Sequence, residues 1–401
     1  MRQRPSGIHT QASLAWLLDP LPVDTFLDEI WGRSHYHVSR DSPNYFTGLL
    51  EGADSVDALL AVFRPHLSLV SLVRGAERKE QYVYRRADGA FDVAAIGQDF
   101  ADGYTIVLES VQRYVRPIAR LAHAIDVELD FATQVNAYFT PPQSRGFVAH
   151  CDDHDALVVQ IQGSKIWHLY EGIDVAPHRI SSQGPVAPGE LPAPTDVCLK
   201  TGDVLYVPRG RVHAAESTSE LSAHLTVGLH APSLLLLATR MLNALNNTDD
   251  RIHAQLPPRF LSDPEVRTHL DAFAQHIAER FSDPETLAGA LDSLQADLVK
   301  RGQCQPLGAG IADAVDVDDR TEVLKCQPLY CRVTDNASGV ALHFAQSVVN
   351  AGPDYREALQ FLAESTEPLR VSGVPGLGEA ERIELVRTLI LQGFLIRLTS
   401  E

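Results

Sequence analysis

His150 and Asp152 lie two residues apart in a stretch that reads as extended, so both side chains point to one side and can hold a single ion between them. A third ligand is available in His213, just past the strand-like run DVLYV and the turn Pro208-Arg209-Gly210, where a neighbouring strand can bring it alongside. Two imidazoles and one carboxylate on one face leave half of an octahedral coordination sphere open, an arrangement suited to Fe(II) and oxygen chemistry. Spacing alone does not decide the matter. His269-Leu270-Asp271 has the same spacing, but it sits in a helical pattern where the two side chains diverge by about 200°. His154 shares the face of His150 if the strand is regular, as an alternative ligand or as a group supporting the ligands or touching substrate. Asp153 and Asp155 then face the other way, and Cys151 points away from the ion.

These residues lie in a distinctive part of the chain. From about Gln134 to His230 the sequence breaks into short apolar or alternating runs, VNAYFT, ALVVQIQG, KIWHLY, DVLYVPRG, RVHAAES and HLTVGLH, punctuated by Pro and Gly. Such runs predict a small antiparallel sandwich or barrel. Before it, Leu14 to Leu18 and Phe26 to Trp31 have helical spacing, with Asp24 as a cap after Pro20-Leu21-Pro22, and a helix is expected over roughly Ile106 to Ile125. After it, SLLLLATRMLNALNN, PEVRTHLDAFAQHIAERF and PETLAGALDSLQADLVK carry the i, i+3, i+4, i+7 pattern, the last two opening on S-D-P-E as a helix start.

Arg301 to Asp319 reads as a linker. Two strand-like runs around Leu329 and Val340, a helix from about Tyr355, and a final helix that stops at Gly393 and runs into a strand fit a winged-helix layout. Gly373, Gly376 and Gly378 are in the wrong order for a phosphate loop and read as a turn.

Composition bounds the function. The chain has 401 residues, 45% hydrophobic and 21% charged, enough for a real core in two or three domains. A formal charge of -18 argues against a broad phosphate-binding surface, and hence against nucleic acid as the main partner. No run approaches the ~20 apolar residues of a spanning helix, so a cytoplasmic protein is expected. The cysteines Cys151, Cys198, Cys304, Cys326 and Cys331 are scattered, with no C-x-x-C pair, and reduced thiols are the default.

The run from Asn136 to Tyr170, followed by YVPRGRVH, resembles the JmjC-type cupin oxygenases and most closely their ribosomal oxygenase branch. The order N-x-Y-x-T-P-P, G-F-x-x-H-x-D-D, Q-x-x-G-x-K-x-W and P-R-G-x-x-H carries the likeness, and LAWLLDPLPVDTFLDEIWGRSHYHVSR looks like that family's entry segment. The resemblance implies an α+β fold: a double-stranded β-helix, or cupin jelly roll, with a helical dimerisation domain and a C-terminal winged helix. The implied domains are 1–232, 233–310 and 311–401. It places Fe(II) on His150, Asp152 and His213, and pairs Lys165 with the distal carboxylate of 2-oxoglutarate; an apolar strand with one buried cation suits such a dicarboxylate. Asn136 and Tyr138 fall where the family makes polar contacts to that cosubstrate.

One departure stands out. Beyond His224-Leu225-Thr226 similar sequences carry hydroxyl residues, whereas this chain reads Val227-Gly228-Leu229, leaving Thr226 or a water to supply the contact. Arg145 and Gln143 border the barrel mouth as substrate contacts or solvated loop residues, and Trp167 and Tyr170 read as core. The resemblance implies a homodimeric hydroxylase acting on a side chain of a protein substrate, ribosomal in that branch. The same chemistry on a small molecule or short peptide, and a non-catalytic cupin-like binding protein, are the alternatives.

Overall fold

The computed structural model describes residues 12–50, 56–79, 81–89, 92–174, 191–246, 248–302, 314–326 and 329–398, and the chain divides into two units, Met1–Ala231 and Pro232–Glu401. In the first unit the strands are β1 (Tyr36–Val38), β2 (Val70–Arg74), β3 (Glu77–Lys79), β4 (Thr105–Leu108), β5 (Thr133–Thr140), β6 (Asp155–Gln162), β7 (Ser164–Asp174), β8 (Thr195–Lys200), β9 (Val204–Val207), β10 (Arg211–Ser217) and β11 (Ser222–Leu229). Eight form one sheet in the order β1-β9-β6-β11-β5-β4-β2-β3, and three form a smaller one, β10-β7-β8. Every strand pairing in both sheets is antiparallel.

The period-two alternation of the central strands separates core from site. In β5, Val135, Ala137 and Phe139 join a large apolar core, whereas Gln134, Asn136 and Tyr138 line a cavity on the other face. In β11, Ala223, Leu225 and Val227 face the core while His224, Thr226 and Gly228 face the cavity. The register sets these rows side by side, with His224 opposite Tyr138 and Thr226 opposite Asn136. The core is closed by α1 (Leu14–Leu18) and α5 (Arg116–Leu129), whose Leu14, Leu17, Ile118, Leu121 and Ile125 pack into it. The smaller sheet faces the larger across Val158, Trp167, Leu169, Leu199, Leu205 and Val207. Each fully buried aliphatic side chain here contributes about 1.5–3 kcal/mol.

Several sequence expectations are corrected. Asp24 is not the cap: Pro22 precedes the short helix Val23–Thr25, Asp24 lies in its first turn, and a π-helical turn Phe26–Ile30 follows. The expected helix over Ile106 to Ile125 splits into β4, which extends the sheet beside β5, and α5, which starts at Arg116 with a proline in its first turn. The apolar run of β4 is buried on both faces, so its composition suits a helix as well as a strand.

In the second unit, three helices, Leu234–Leu245, Pro264–Phe281 and Pro284–Val299, fall where the apolar period placed them. Asp263 and Asp283 cap the last two, each accepting from the backbone N–H two residues on, with proline in the first turn. His269 and Asp271 both lie in the helix Pro264–Phe281, which rules out a shared strand face for them.

Beyond these helices come two three-stranded sheets. One joins β12 (Glu322–Lys325), β16 (Leu369–Arg370) and β17 (Leu395–Arg397); the other is the meander β13 (Cys331–Asn336), β14 (Gly339–Phe344) and β15 (Ser347–Ala351). The helices Arg356–Glu364 and Glu379–Leu391 pack Leu359, Leu362, Val386 and Leu389 into one core with Leu342, Phe344 and Phe394. The strand-like run near Leu329 begins two residues later, at Cys331. Gly378 opens the helix Glu379–Leu391 as its N-cap, with its N–H donating to Glu381, as a turn residue would. Most of the linker expected over Arg301 to Asp319, with Cys304, lies outside the described residues.

Candidate functional site

His150, Asp152 and His213 converge at one end of the cavity between the two sheets. His150 Nε2 lies 3.9 Å from Asp152 Oδ1, His213 Nε2 lies 3.7 Å from Asp152 Oδ2, and the two imidazole centroids are 4.5 Å apart. The convergence is built by the backbone. His150 stands outside regular strand but forms an isolated antiparallel bridge with His213, through His150 N–H donating to His213 O at 3.0 Å and the reverse bond at 2.8 Å. The turn Pro208-Arg209-Gly210 is tied back in the same way: Gly210 N–H donates to Asp152 O at 3.0 Å, and Arg209 N–H to the buried carboxylate of Asp155 at 3.2 Å. Asp155 also accepts from the Tyr206 hydroxyl at 2.5 Å, so this residue holds the scaffold.

Second contacts fix the ligand tautomers. His150 Nδ1–H donates to Val148 O at 2.8 Å and His213 Nδ1–H to Arg211 O at 3.0 Å, which leaves each Nε2 as a lone pair turned toward Asp152. Burial, and then the proximity of His150, lower the His213 pKa to about 4 against the opposing pull of Asp152, so the ring is neutral at physiological pH and able to ligate. One oxygen-bearing and two nitrogen-bearing groups in this disposition fit a divalent transition metal and leave the cavity side of it open.

The rest of the cavity is polar in a selective way. Its volume is about 230 Å³. Lys165, on β7, is buried at 3% exposure and donates from Nζ to Thr140 Oγ1 at 2.9 Å. Burial alone pulls its pKa down from 10.5 to about 7. Beside it His224 is held neutral, first by burial and then by Lys165. Its ring stacks on Tyr138 at 4.7 Å and 2°, and burial raises the Tyr138 pKa above its ordinary value. Asn136 is oriented by Ser110 N–H at 3.0 Å and Gln134 Nε2 at 3.2 Å, both donating to its Oδ1. Thr226 lines the same wall. Trp167 Nε1 and His224 Nδ1 are buried without a hydrogen-bond partner among the described residues, which makes them fit to bond a polar guest.

Sequence reasoning placed Trp167 in the core, and its ring does pack there, but one edge also faces the cavity. Tyr170 and Cys151 pack around Ala149 and Val212. Arg145 pairs with Glu216 at 2.8 Å. Two residues escaped notice that period two could have found. Thr140 continues the alternation of Gln134, Asn136, Tyr138 and accepts from Lys165, and His230 continues the cavity row His224, Thr226, Gly228. The expectation that Asp153 faces away from His154 is corrected: their side chains bond at 2.9 Å, because the segment is a bend rather than a strand.

Residues 109–237 match the JmjC domain. The curated proteins similar to this chain include the bifunctional lysine-specific demethylase and histidyl-hydroxylase NO66 of Drosophila mojavensis, 31% identical over 228 residues that make up 54% of this chain and 24% of that protein. Ribosomal oxygenase 2 of Mus musculus is 27% identical over 300 residues, 71% of this chain and 63% of that protein. The chain spans about a quarter of the NO66 protein. Among solved structures, the ribosomal oxygenase YcfD of Escherichia coli in complex with cobalt and 2-oxoglutarate is similar with a TM-score of 0.55, at 15% identity over 95% of this chain and 99% of that one. At that identity the likeness shows the shared fold.

Proposed function

We propose that this chain is an Fe(II)- and 2-oxoglutarate-dependent oxygenase that hydroxylates a side chain of a protein substrate, a ribosomal protein being the favoured class. The observation that carries the reading is the pairing, within one cavity, of a ligand-competent His150, Asp152 and His213 with a buried, nearly uncompensated Lys165. Such a lysine is costly unless an anion joins it, and a dicarboxylate that also reaches the metal answers that need. Bound iron and 2-oxoglutarate supply the activation of oxygen. The chain's own residues bind and orient. His150 and His213 present Nε2, Asp152 offsets the ionic charge, Lys165 holds the distal carboxylate, and Asn136, Tyr138 and Thr226 line the cosubstrate wall. The similarity to proteins named ribosomal oxygenase and histidyl-hydroxylase supports the substrate class.

The same reading divides the chain into a catalytic domain over 1–232, a helical dimerisation domain over 233–310 and a winged helix over 311–401. Support for a homodimer comes from Leu234 and Leu235, 84% and 77% exposed at the start of a helix, and Leu261, 73% exposed. Among the described residues no helix is long and apolar enough to cross a membrane, in keeping with the proposed cytoplasmic location.

The test is incubation with ribosomal extract, Fe(II) and 2-oxoglutarate. Succinate formation and a one-oxygen mass gain on a ribosomal protein are expected, and both are lost in His213→Ala. Succinate without that mass gain points to a small-molecule or short-peptide substrate, and no succinate at all sinks the enzyme reading.

A further inference from the structure

A second group of metal-competent side chains lies at the rim of the same cavity, outside the triad. Asp153, His154 and His230 each offer one ligand atom, and these atoms all lie within 4.8 Å of one another. The two imidazoles face each other with centroids 4.4 Å apart and planes tilted by 32°. His154 Nδ1 already meets Asp153 Oδ1 at 2.9 Å. Gly228 makes this approach possible: a Cβ there would stand 2.9 Å from His154 Nε2 and 3.1 Å from His230 Nε2. The departure at Gly228 is therefore accounted for by the two rings, which occupy the space beside its Cα.

We propose that Asp153, His154 and His230 form a second divalent-metal site, separate from His150, Asp152 and His213. Two imidazole nitrogens and one carboxylate suit a borderline cation such as Zn(II) or Co(II) rather than Mg(II) or Ca(II). Zinc bonds of roughly 2.0–2.2 Å need donor atoms to close in by about an ångström. The side chains have room for that, since Asp153 is 70% exposed and His154 21% exposed on its side chain. The solvent side keeps positions for water. Because His154 and His230 line the cavity, the ion stands on the path to the triad, where its remaining positions can take an anionic or imidazole group of an incoming molecule.

The site stands whether or not the chain is an oxygenase, and metal counting separates the two ideas. The full chain, stripped with a chelator and titrated with Co(II), is expected to bind two ions by elemental analysis after desalting. His213→Ala keeps one, His230→Ala keeps one, and the double variant keeps none. Gly228→Ala, which wedges a methyl between the rings, weakens one of the two ions at least tenfold with an unchanged circular dichroism spectrum. A single ion in the wild type that survives His230→Ala and disappears in His213→Ala overturns the rim site. A single ion lost in His230→Ala and kept in His213→Ala supports it and removes the triad instead.

Discussion

Lys165 makes cosubstrate binding depend on pH in a calculable direction. Its pKa falls from 10.5 to about 7 through burial, a displacement worth on the order of 5 kcal/mol at about 1.36 kcal/mol per unit. In the unfolded chain the amine keeps its proton up to the ordinary value, so the folded state binds fewer protons between about pH 7 and 10.5. The cost to the empty protein is therefore fully present below about pH 7 and relieved as pH rises toward 10.5. A carboxylate beside Nζ reverses the preference, because it favours the charged amine. Binding of 2-oxoglutarate to the Co(II)-saturated protein well above neutrality should thus take up close to one proton, and affinity should fall by up to about tenfold per pH unit, or roughly 50-fold from pH 7 to 9. Neighbouring groups do not blur the slope: His224 and His213 titrate below this window and Tyr138 above its ordinary range. Anaerobic calorimetry in buffers of different ionisation enthalpy reads both quantities, and Lys165→Arg, permanently charged, should flatten the slope. An affinity that is level from pH 7 to 9, with no proton uptake, refutes the placement of the dicarboxylate on Lys165.

His213→Ala should reduce iron-dependent turnover of 2-oxoglutarate to background, whereas His269→Ala, in a helix of the other unit, should leave it within about twofold, both followed by succinate release. Thr140→Val removes the hydroxyl that accepts from Lys165 Nζ and should cost about 1–3 kcal/mol in urea unfolding, with weaker 2-oxoglutarate binding as the companion readout. Leu235→Glu, at an 84%-to-77% exposed pair, should halve the mass seen by light scattering if the exposed leucines meet a second copy, and an unchanged mass refutes that use of them.

The strands that carry the site were legible in the sequence because alternation there has two causes at once. Apolar residues at Val135, Ala137 and Phe139 face the core, and the polar Asn136 and the hydroxyl-bearing Tyr138 face the cavity, so the two patterns reinforce each other. The helices after Pro232 were legible for a different reason: their caps are explicit, with Asp263 and Asp283 followed by proline. What could not be read were elements whose local pattern is one-sided. β4 is buried throughout and has no alternation to show, and Asp24 resembles a cap only until the backbone places Pro22 there. At the bend of Asp153 and His154 the imidazole of His154 meets that of His230, far along the chain, and no periodic pattern around residue 154 announces that contact.

The way the triad is held says why two close residues and one distant one can act as a unit. A regular strand would place His150 and Asp152 on one face, but it would also commit their backbone to a continuous ladder and fix the distance to His213 by strand spacing alone. Here regular pairing gives way to isolated bridges, a two-bond one between His150 and His213 and another between Arg145 and Glu216, and the chain beyond is pinned separately: by Gly210 on Asp152 O, and by Tyr206 and Arg209 on the buried Asp155. The ligand segment is therefore anchored at points rather than along its length. The Asp152 carboxylate faces both Nε2 atoms, at 3.7 and 3.9 Å, while each imidazole is locked through Nδ1 on a backbone carbonyl. An ion taken up here would find fixed geometry in the two histidines and adjustment in the one carboxylate, because of the three side chains the two imidazoles are tied to the backbone.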